Sequence, residues 1–278
     1  MFENQYYTLV ASLREYTLDA DTKGFDARAI IDEILEGVRG RDALQVRMLY
    51  GYYDCENLAA LRCGRNAFNP LGNLAREELD EELKAPQRLP EPLARVVRAY
   101  ADPEGEDAES VDTAQRFEKE LFEAYYRICE GSRSRFLREW SRFDRTLRNV
   151  TAAVAARAAG RNVEEALVGE GDVVDQLQRS SAADFGLRGE LPWMDAVIAA
   201  MNDEANLVEK ERKLDLIRWS EAAELATFDY FDLDAILSYL VRVNIVARWT
   251  RLDAARGREM FARLMAELDG KQLIENKQ

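Results

Sequence analysis

Apolar residues recur at spacings of three and four along most of this chain, the period of one face of an α-helix. The pattern is clearest over 132–159, where a seam of aromatic and aliphatic residues is formed by Phe136, Trp140, Phe143, Leu147, Val150 and Val154. The same period predicts a helix over 108–130. We expect these two helices to pack as an antiparallel pair that buries the seam. The other face of the second helix is rich in arginine, which predicts a solvated face paired with nearby glutamates.

Capping residues and breakers delimit the other helices. Asp26 is a candidate N-cap for a helix that ends at Gly37 or Gly40. Asn162 with Glu165 forms a candidate capping box after the helix that ends at Gly160. Residues 6–13 fit either an extended segment or a helix start, while 64–107 and 169–192 are loop-rich. Further helices are predicted over 42–63, 73–84, 92–100, 193–201, 203–226 and 232–249, with a last one around 260–268.

This succession of helices, in a chain rich in strong helix formers, predicts an all-α, multi-helical fold. We expect residues 1–278 to form a single all-α chain, in which the loop-rich stretch 169–192 links sub-domains. Within it we expect sub-bundles over 1–105, 106–190 and 191–278, with the first boundary in the acidic stretch 102–109.

The composition limits the classes of partner that we expect this protein to bind and the cellular compartment in which we expect it. The net charge of −14 argues against nucleic acid and anionic lipid surfaces as partners. No run approaches the roughly 18–20 apolar residues of a membrane span, and the first residues lack the basic leader of a signal peptide. Three cysteines without a paired motif predict buried free thiols in a reducing compartment. We therefore expect a cytoplasmic protein that does not itself span a membrane.

The chain contains no histidine. This excludes the serine–histidine and cysteine–histidine catalytic arrangements and histidine-ligated metal sites. We predict no catalytic residue, no bound metal and no cofactor, and hence a protein that is not an enzyme.

One remote enzymatic alternative comes from acidic residues. Asp229, Asp232 and Asp234, with Asp203 upstream, could share a magnesium ion as in all-α enzymes that act on prenyl diphosphates. The order of the motifs is reversed, however, and capping of the 232–249 helix by Asp232 or Asp234 explains these residues better.

A near-repeat is the most informative motif in the chain. YYDCENLAALRCGRN at 52–66 and RFDRTLRNVTAAVAARAAGRN at 142–162 each carry an aromatic–Asp pair, an Asn before an apolar residue, an Arg and a closing Gly-Arg-Asn. The polar members are Asp54, Asn57 and Arg62 in the first copy and Asp144, Asn149 and Arg157 in the second. The number of residues between the Asn and the closing Gly is larger by four in the second copy. Four residues are close to one helical turn, so the Asn could face the same side of the helix in both copies. A polar Asn and Arg on otherwise apolar helices predict a hydrogen-bond network between helices, since buried polar groups need partners.

The first copy resembles the repeated helix motif of the C-type subunit (d-type in eukaryotes) of V-type and A-type rotary ATPases, Asp-Ile-x-Asn-Leu-x-x-Leu-Leu-Arg-Ala-Lys. Asp54, Asn57 and Arg62 match that motif together with Leu58 and Leu61, and the second copy matches it more loosely. The opening YYTLVASL and the closing FDLDAILSYLVRVNIVARW look like an uncharacterised bacterial family that accompanies V-type ATPase subunits.

The resemblance implies a funnel-like set of related helical bundles without catalytic residues. Such a protein would be peripheral to the inner membrane, on the cytoplasmic mouth of the proteolipid ring, where it would receive the rotor shaft. The other interpretation is a helical adaptor or scaffold that binds another protein in a groove.

Overall fold

The computed structural model describes residues 5–18, 24–101, 111–202 and 206–251. Within these ranges the chain forms helices and no strands, so the all-α prediction is confirmed. The helices are α1 (Tyr7–Ser12), α2 (Ala27–Gly37), α3 (Arg41–Arg62), α4 (Arg76–Lys84), α5 (Glu91–Ala101), α6 (Val111–Glu130), α7 (Arg135–Ala158), α8 (Val163–Ala166), α9 (Asp172–Arg179), α10 (Met194–Met201), α11 (Leu207–Leu225) and α12 (Leu233–Arg251).

Helices α2 and α8 begin at the residues that the capping pattern indicated. Asp26 accepts a hydrogen bond from the backbone N–H of Ala29, 3.1 Å away, and α2 ends at Gly37. Asn162 also caps its helix, accepting from the backbone N–H of Glu164 at 3.0 Å. Glu165 accepts a hydrogen bond from the side-chain amide of Asn162. In a capping box it would accept one from the backbone N–H of that residue instead. Such caps satisfy N–H groups that the first turn leaves without a partner.

Helix α6 packs against α3, α5 and α7. The predicted pairing of α6 with α7 is therefore confirmed. The seam on α7 is buried from Phe136 to Val150, and only Val154 is half-buried. Helix α12 is apolar on nearly all sides and is enclosed by its neighbours, as a helix without a polar face must be.

The buried side chains form one continuous hydrophobic cluster that includes residues from all three expected sub-bundles. The division at 105 and 190 therefore stays a prediction. No helix among the described residues combines the length and the apolar character needed to cross a membrane.

Two features differ from the sequence-based predictions, and a third prediction falls outside the described residues. The loop-rich stretch 169–192 contains the helix α9, whose apolar face is short and buries Val174 and Leu177. Cys63 is exposed at the end of α3, whereas Cys55 and Cys129 are buried as predicted. The predicted last helix around 260–268 lies outside the described residues.

Candidate functional site

Asn57 fastens the middle of α3 to the loop that follows this helix. Its Nδ2 donates to the backbone carbonyl of Asn69 at 2.9 Å, and its Oδ1 accepts from the backbone N–H of Asn69 at 2.7 Å. The side chain is only 1 % exposed. We call this pair of hydrogen bonds an asparagine clamp, because one amide side chain satisfies both backbone groups of one loop residue.

The second copy of the near-repeat contains the same clamp. Asn149 on α7 donates to the carbonyl of Val168 and accepts from its N–H, with both distances at 2.9 Å. This asparagine is also 1 % exposed, and Val168 is buried as well. Both asparagines are thus buried and hydrogen-bonded, but their partners are backbone groups of a loop rather than groups of another helix.

The two clamped helices also end alike. Gly64 and Gly160 adopt the left-handed conformation with φ of 63° and 64°. The residue after each glycine donates its N–H five residues back, from Arg65 to Ala60 at 2.9 Å and from Arg161 to Ala156 at 2.8 Å. This is the Schellman arrangement of a helix C-terminus. The extra four residues in the second copy are accommodated as one turn of α7, and both asparagines face the loop after their helix.

Both arginines of the near-repeat lie over aromatic rings. The guanidinium of Arg62 is 5.5 Å from the ring centre of Phe117. That of Arg157 is 3.8 Å from the ring centre of Phe185 and donates at 2.6 Å to the carbonyls of Ser180 and Ala182. Cation–π contacts of this kind favour stacking of a loop on a helix. Arg157 therefore holds the segment after α9 against α7.

The two aspartates of the near-repeat have different environments. Asp54 accepts from the side-chain amide of Asn73 at 2.7 Å and from the N–H of Leu74 at 3.1 Å. Burial raises the pKa of Asp54, and these hydrogen bonds oppose the shift. Asp144 instead accepts from the hydroxyl of Tyr126 at 2.8 Å and faces a cleft.

That cleft has a volume of about 740 Å³ and is lined mainly by residues of α3, α6, α7, α11 and α12, with Met201 of α10 and Asn69 of the loop after α3. Charged side chains cross one of its walls in an alternating chain. Arg218 lies 3.5 Å from Asp144 and 3.0 Å from Asp215, and Arg248 lies 2.7 Å from Asp215 and also pairs with Glu211. We call these five side chains the ion network.

Asp215 is the centre of the ion network. It is buried and accepts from both arginines and from the indole N–H of Trp249 at 2.9 Å. Burial alone would lower the pKa of Arg218, but the charges of Asp144 and Asp215 raise it above its ordinary value. The guanidinium therefore stays charged, and the network connects α7, α11 and α12.

Tyr52, Tyr53 and Glu56 from α3 also line the cleft. Burial is the main cause of a raised pKa for Glu56, whose carboxylate accepts from the side chain of Asn69 at 3.3 Å. Burial likewise raises the pKa of both tyrosines. Arg148 reaches the same cleft from α7 and lies 3.9 Å from the ring centre of Phe122.

The cleft thus holds alternating, mutually paired charges, which brace the surrounding helices. Among the described residues, no three or more cysteine or carboxylate side chains are placed to hold a metal ion together. Sequence reasoning missed Asp215, Arg218 and Arg248. The spacing of three between the first two was visible, but the same spacing is common on solvated helix faces.

The acidic residues of the diphosphate alternative serve as caps and ion-pair partners. Asp232 accepts from the N–H of Ala235 at 3.1 Å, so its predicted role as a cap of α12 is confirmed. Asp234 accepts from Phe136 N–H at 3.1 Å, and so binds the first turn of α7. Asp229 lies 2.6 Å from Arg135. Asp203 lies outside the described residues.

The family model of a protein of unknown function, DUF2764, matches residues 3–271. The chain belongs to the DUF2764 family. A comparison with curated proteins finds no match. Both asparagine clamps and the ion network lie within the residues that the family model matches.

Proposed function

We propose that this protein is a non-catalytic component of the central stalk of a V/A-type rotary ATPase, similar to the C-type subunit. In this role it couples the rotor shaft to the membrane proteolipid ring. It is cytoplasmic and reaches the inner membrane only through the complex.

The recurrence of the asparagine clamp supports this proposal. The near-repeat contains the positions that resemble the motif of the C-type subunit, and Asn57 and Asn149 make the same two backbone hydrogen bonds at those positions. Two helices that share a clamp, a Schellman end and an arginine over a ring are related structural units. Repetition of one helical unit is what the resemblance to the C-type subunit implies.

The side chains that brace the cleft also suit a coupling part. A protein that transmits torque must keep its helices in fixed relative positions while force acts on its surface. The ion network ties three helices together through a buried carboxylate with three donors. Removing one partner of such a buried arrangement is strongly unfavourable, so the helices resist separation.

Purification of the chain from its native host tests the proposal. We expect an affinity-tagged copy, expressed from its own locus, to co-purify with shaft and ring subunits in fixed stoichiometry from detergent-solubilised membranes. Deletion should abolish ATP-driven ion pumping in membrane vesicles, and the wild-type gene should restore it. Unchanged pumping in the deletion strain, with no ATPase subunit in the purified material, would refute the proposal.

An adaptor that binds some other protein is the second candidate. The observation in its favour is a group of exposed aromatic side chains on the loop between α11 and α12, of which Phe228 is 86 % exposed. Stoichiometric co-purification with a soluble partner, and no ATPase subunit, would select the adaptor. The diphosphate enzyme predicts a magnesium-dependent thermal shift with diphosphate, and the capping roles of Asp232 and Asp234 leave that alternative without support.

A further inference from the structure

We infer that a surface formed by the N-terminal helix and the loop before α12 binds a basic, partly apolar segment of a partner protein. Four aromatic side chains form this surface, which we call the aromatic patch: Tyr7 (59 % exposed), Phe228 (86 %), Tyr230 (68 %) and Phe231 (38 %). Single exposed apolar residues are common, but a group of large ones indicates an interaction site. Aromatic residues are also the side chains most enriched at binding hot spots.

The backbone beneath the aromatic patch is fixed by several contacts. The N–H of Tyr6 donates to the carbonyl of Phe231 at 2.5 Å, and the rings of Tyr7 and Phe231 lie 4.7 Å apart. Within the loop, Asp229 N–H donates to the carbonyl of Ala226 at 3.1 Å. The loop therefore presents its rings in a defined arrangement before any partner arrives.

Arg135 anchors the same loop to α7. Its guanidinium donates to the carbonyl of Leu225 at 2.8 Å and to the carboxylate of Asp229 at 2.6 Å. A surface that is ordered in advance loses less conformational entropy on binding, so its contacts contribute more to affinity. The exposed rings together with this anchoring indicate a built binding surface.

The charge around the aromatic patch selects the chemistry of the partner. Glu221 and Glu224 stand on the last turns of α11 just before the loop, and Asp229 and Asp232 lie within it. Burial raises the pKa of Glu221, and so do the charges of Glu224 and Glu139. The carboxylates of Glu221 and Glu224 therefore lie close enough to repel each other, and a partner's cations would relieve that repulsion.

A basic segment satisfies both properties of the surface. Its arginine or lysine side chains can stack on exposed aromatic rings and pair with the neighbouring carboxylates. An anionic membrane or a nucleic acid would instead meet carboxylates and the net charge of −14. The inference stands apart from the proposed function, because it concerns the isolated chain and needs no ATPase subunit.

Fluorescence anisotropy with the purified chain tests the inference. The probe is a fluorescein-labelled peptide of alternating arginine and leucine, and a peptide with glutamate in place of arginine is the matched control. The test variant is Phe228→Ser/Tyr230→Ser. The control variant is Leu207→Ser/Val208→Ser, which removes two exposed apolar residues at the other end of α11, roughly 27 Å away.

We expect the basic peptide to bind the wild-type chain and the control variant alike. Its affinity for the test variant should fall at least about tenfold, as for loss of binding hot spots. Because both substituted side chains are exposed, the thermal melt of the test variant should match that of the wild type. Glu224→Lys, an exposed charge reversal next to the patch, should weaken binding as well, and added salt should weaken it further.

Four results would overturn the inference. They are no binding of the basic peptide, equal binding by the test variant and the wild type, equal binding of the acidic and basic peptides, and patch-dependent binding of vesicles that contain anionic lipid. The last result would assign the aromatic patch to a membrane surface.

Discussion

Replacement of Asn149 by leucine tests whether the asparagine clamp stabilises the fold as its geometry implies. Leucine has the same branched skeleton of four non-hydrogen atoms as asparagine and is somewhat bulkier, so the substitution leaves no cavity. It removes both hydrogen bonds to Val168, whose backbone N–H and carbonyl are buried beside the asparagine. The leucine side chain offers these two groups no replacement partner.

The magnitude follows from those two groups. A buried polar group left without a partner costs about 1–3 kcal/mol, so two of them cost about 2–6 kcal/mol. The apolar leucine regains about 1–2 kcal/mol through burial. We therefore expect Asn149→Leu to lower the free energy of unfolding by about 3 kcal/mol, within the range of large single-site effects.

Urea denaturation measures this loss directly, provided that the slope of the transition stays unchanged. Asn57→Leu is the matched variant, since Asn57 makes the same two bonds to Asn69. The hydrogen bonds from Asn57 reach a partly exposed residue, so water can replace part of them. We expect a smaller loss there, about 1–2 kcal/mol. A destabilisation by Asn149→Leu that is absent, or smaller than that of Asn57→Leu, would refute the reasoning.

Three further substitutions test other parts of the structure. Glu56→Gln should remove one contribution to the pH dependence of the free energy of unfolding. Because the pKa of Glu56 is raised in the folded state, the stability that this carboxyl group contributes is complete below pH 4.5. That stability is lost as the pH rises through the folded-state pKa. The urea midpoint of the variant, measured at acidic and at neutral pH, should therefore increase relative to that of the wild type as the pH rises. Asp215→Leu leaves Arg218 and Arg248 with one carboxylate each and should cost about 3 kcal/mol, measured in the same way. Gly160→Ala should lower stability by about 1 kcal/mol through left-handed strain alone, because nothing lies within 4 Å of the added carbon.

The repeated helical units could be predicted from the sequence because their determinants are local. A C-terminal glycine fixes where a helix ends, and a count of residues back from it fixes which face an asparagine occupies. The offset of four residues between the copies therefore does not change the helix face on which the asparagine lies, and Asn57 and Asn149 reach equivalent loops. The loop residues that they bind could not be predicted, since Asn69 and Val168 lie 12 and 19 residues downstream. Nothing in the spacing distinguishes them from their neighbours.

The ion network and the aromatic patch could not be predicted for a different reason. Charged residues on helices are usually solvated, and the difference between a solvated and a buried carboxylate lies in what packs above it. Asp215 is buried because α12 brings Arg248 and Trp249 to it from more than 30 residues away. Phe228 and Tyr230 are the reverse case, because they are large aromatic side chains that the fold leaves exposed. In both cases tertiary packing decides the environment of the side chain.

The one part of the near-repeat that the two copies do not share follows from helical geometry. Asp54 precedes its asparagine by three residues, which places both side chains within roughly 60° on α3, so both bind the same loop. Asp144 precedes Asn149 by five residues and therefore points roughly 140° away from it on α7. That rotation turns the carboxylate from the loop toward the cleft, where it pairs with Arg218. The second unit thus keeps the clamp that binds its helix to the following loop. It also connects that helix to α11, which joins the repeated part of the chain to the part that follows it.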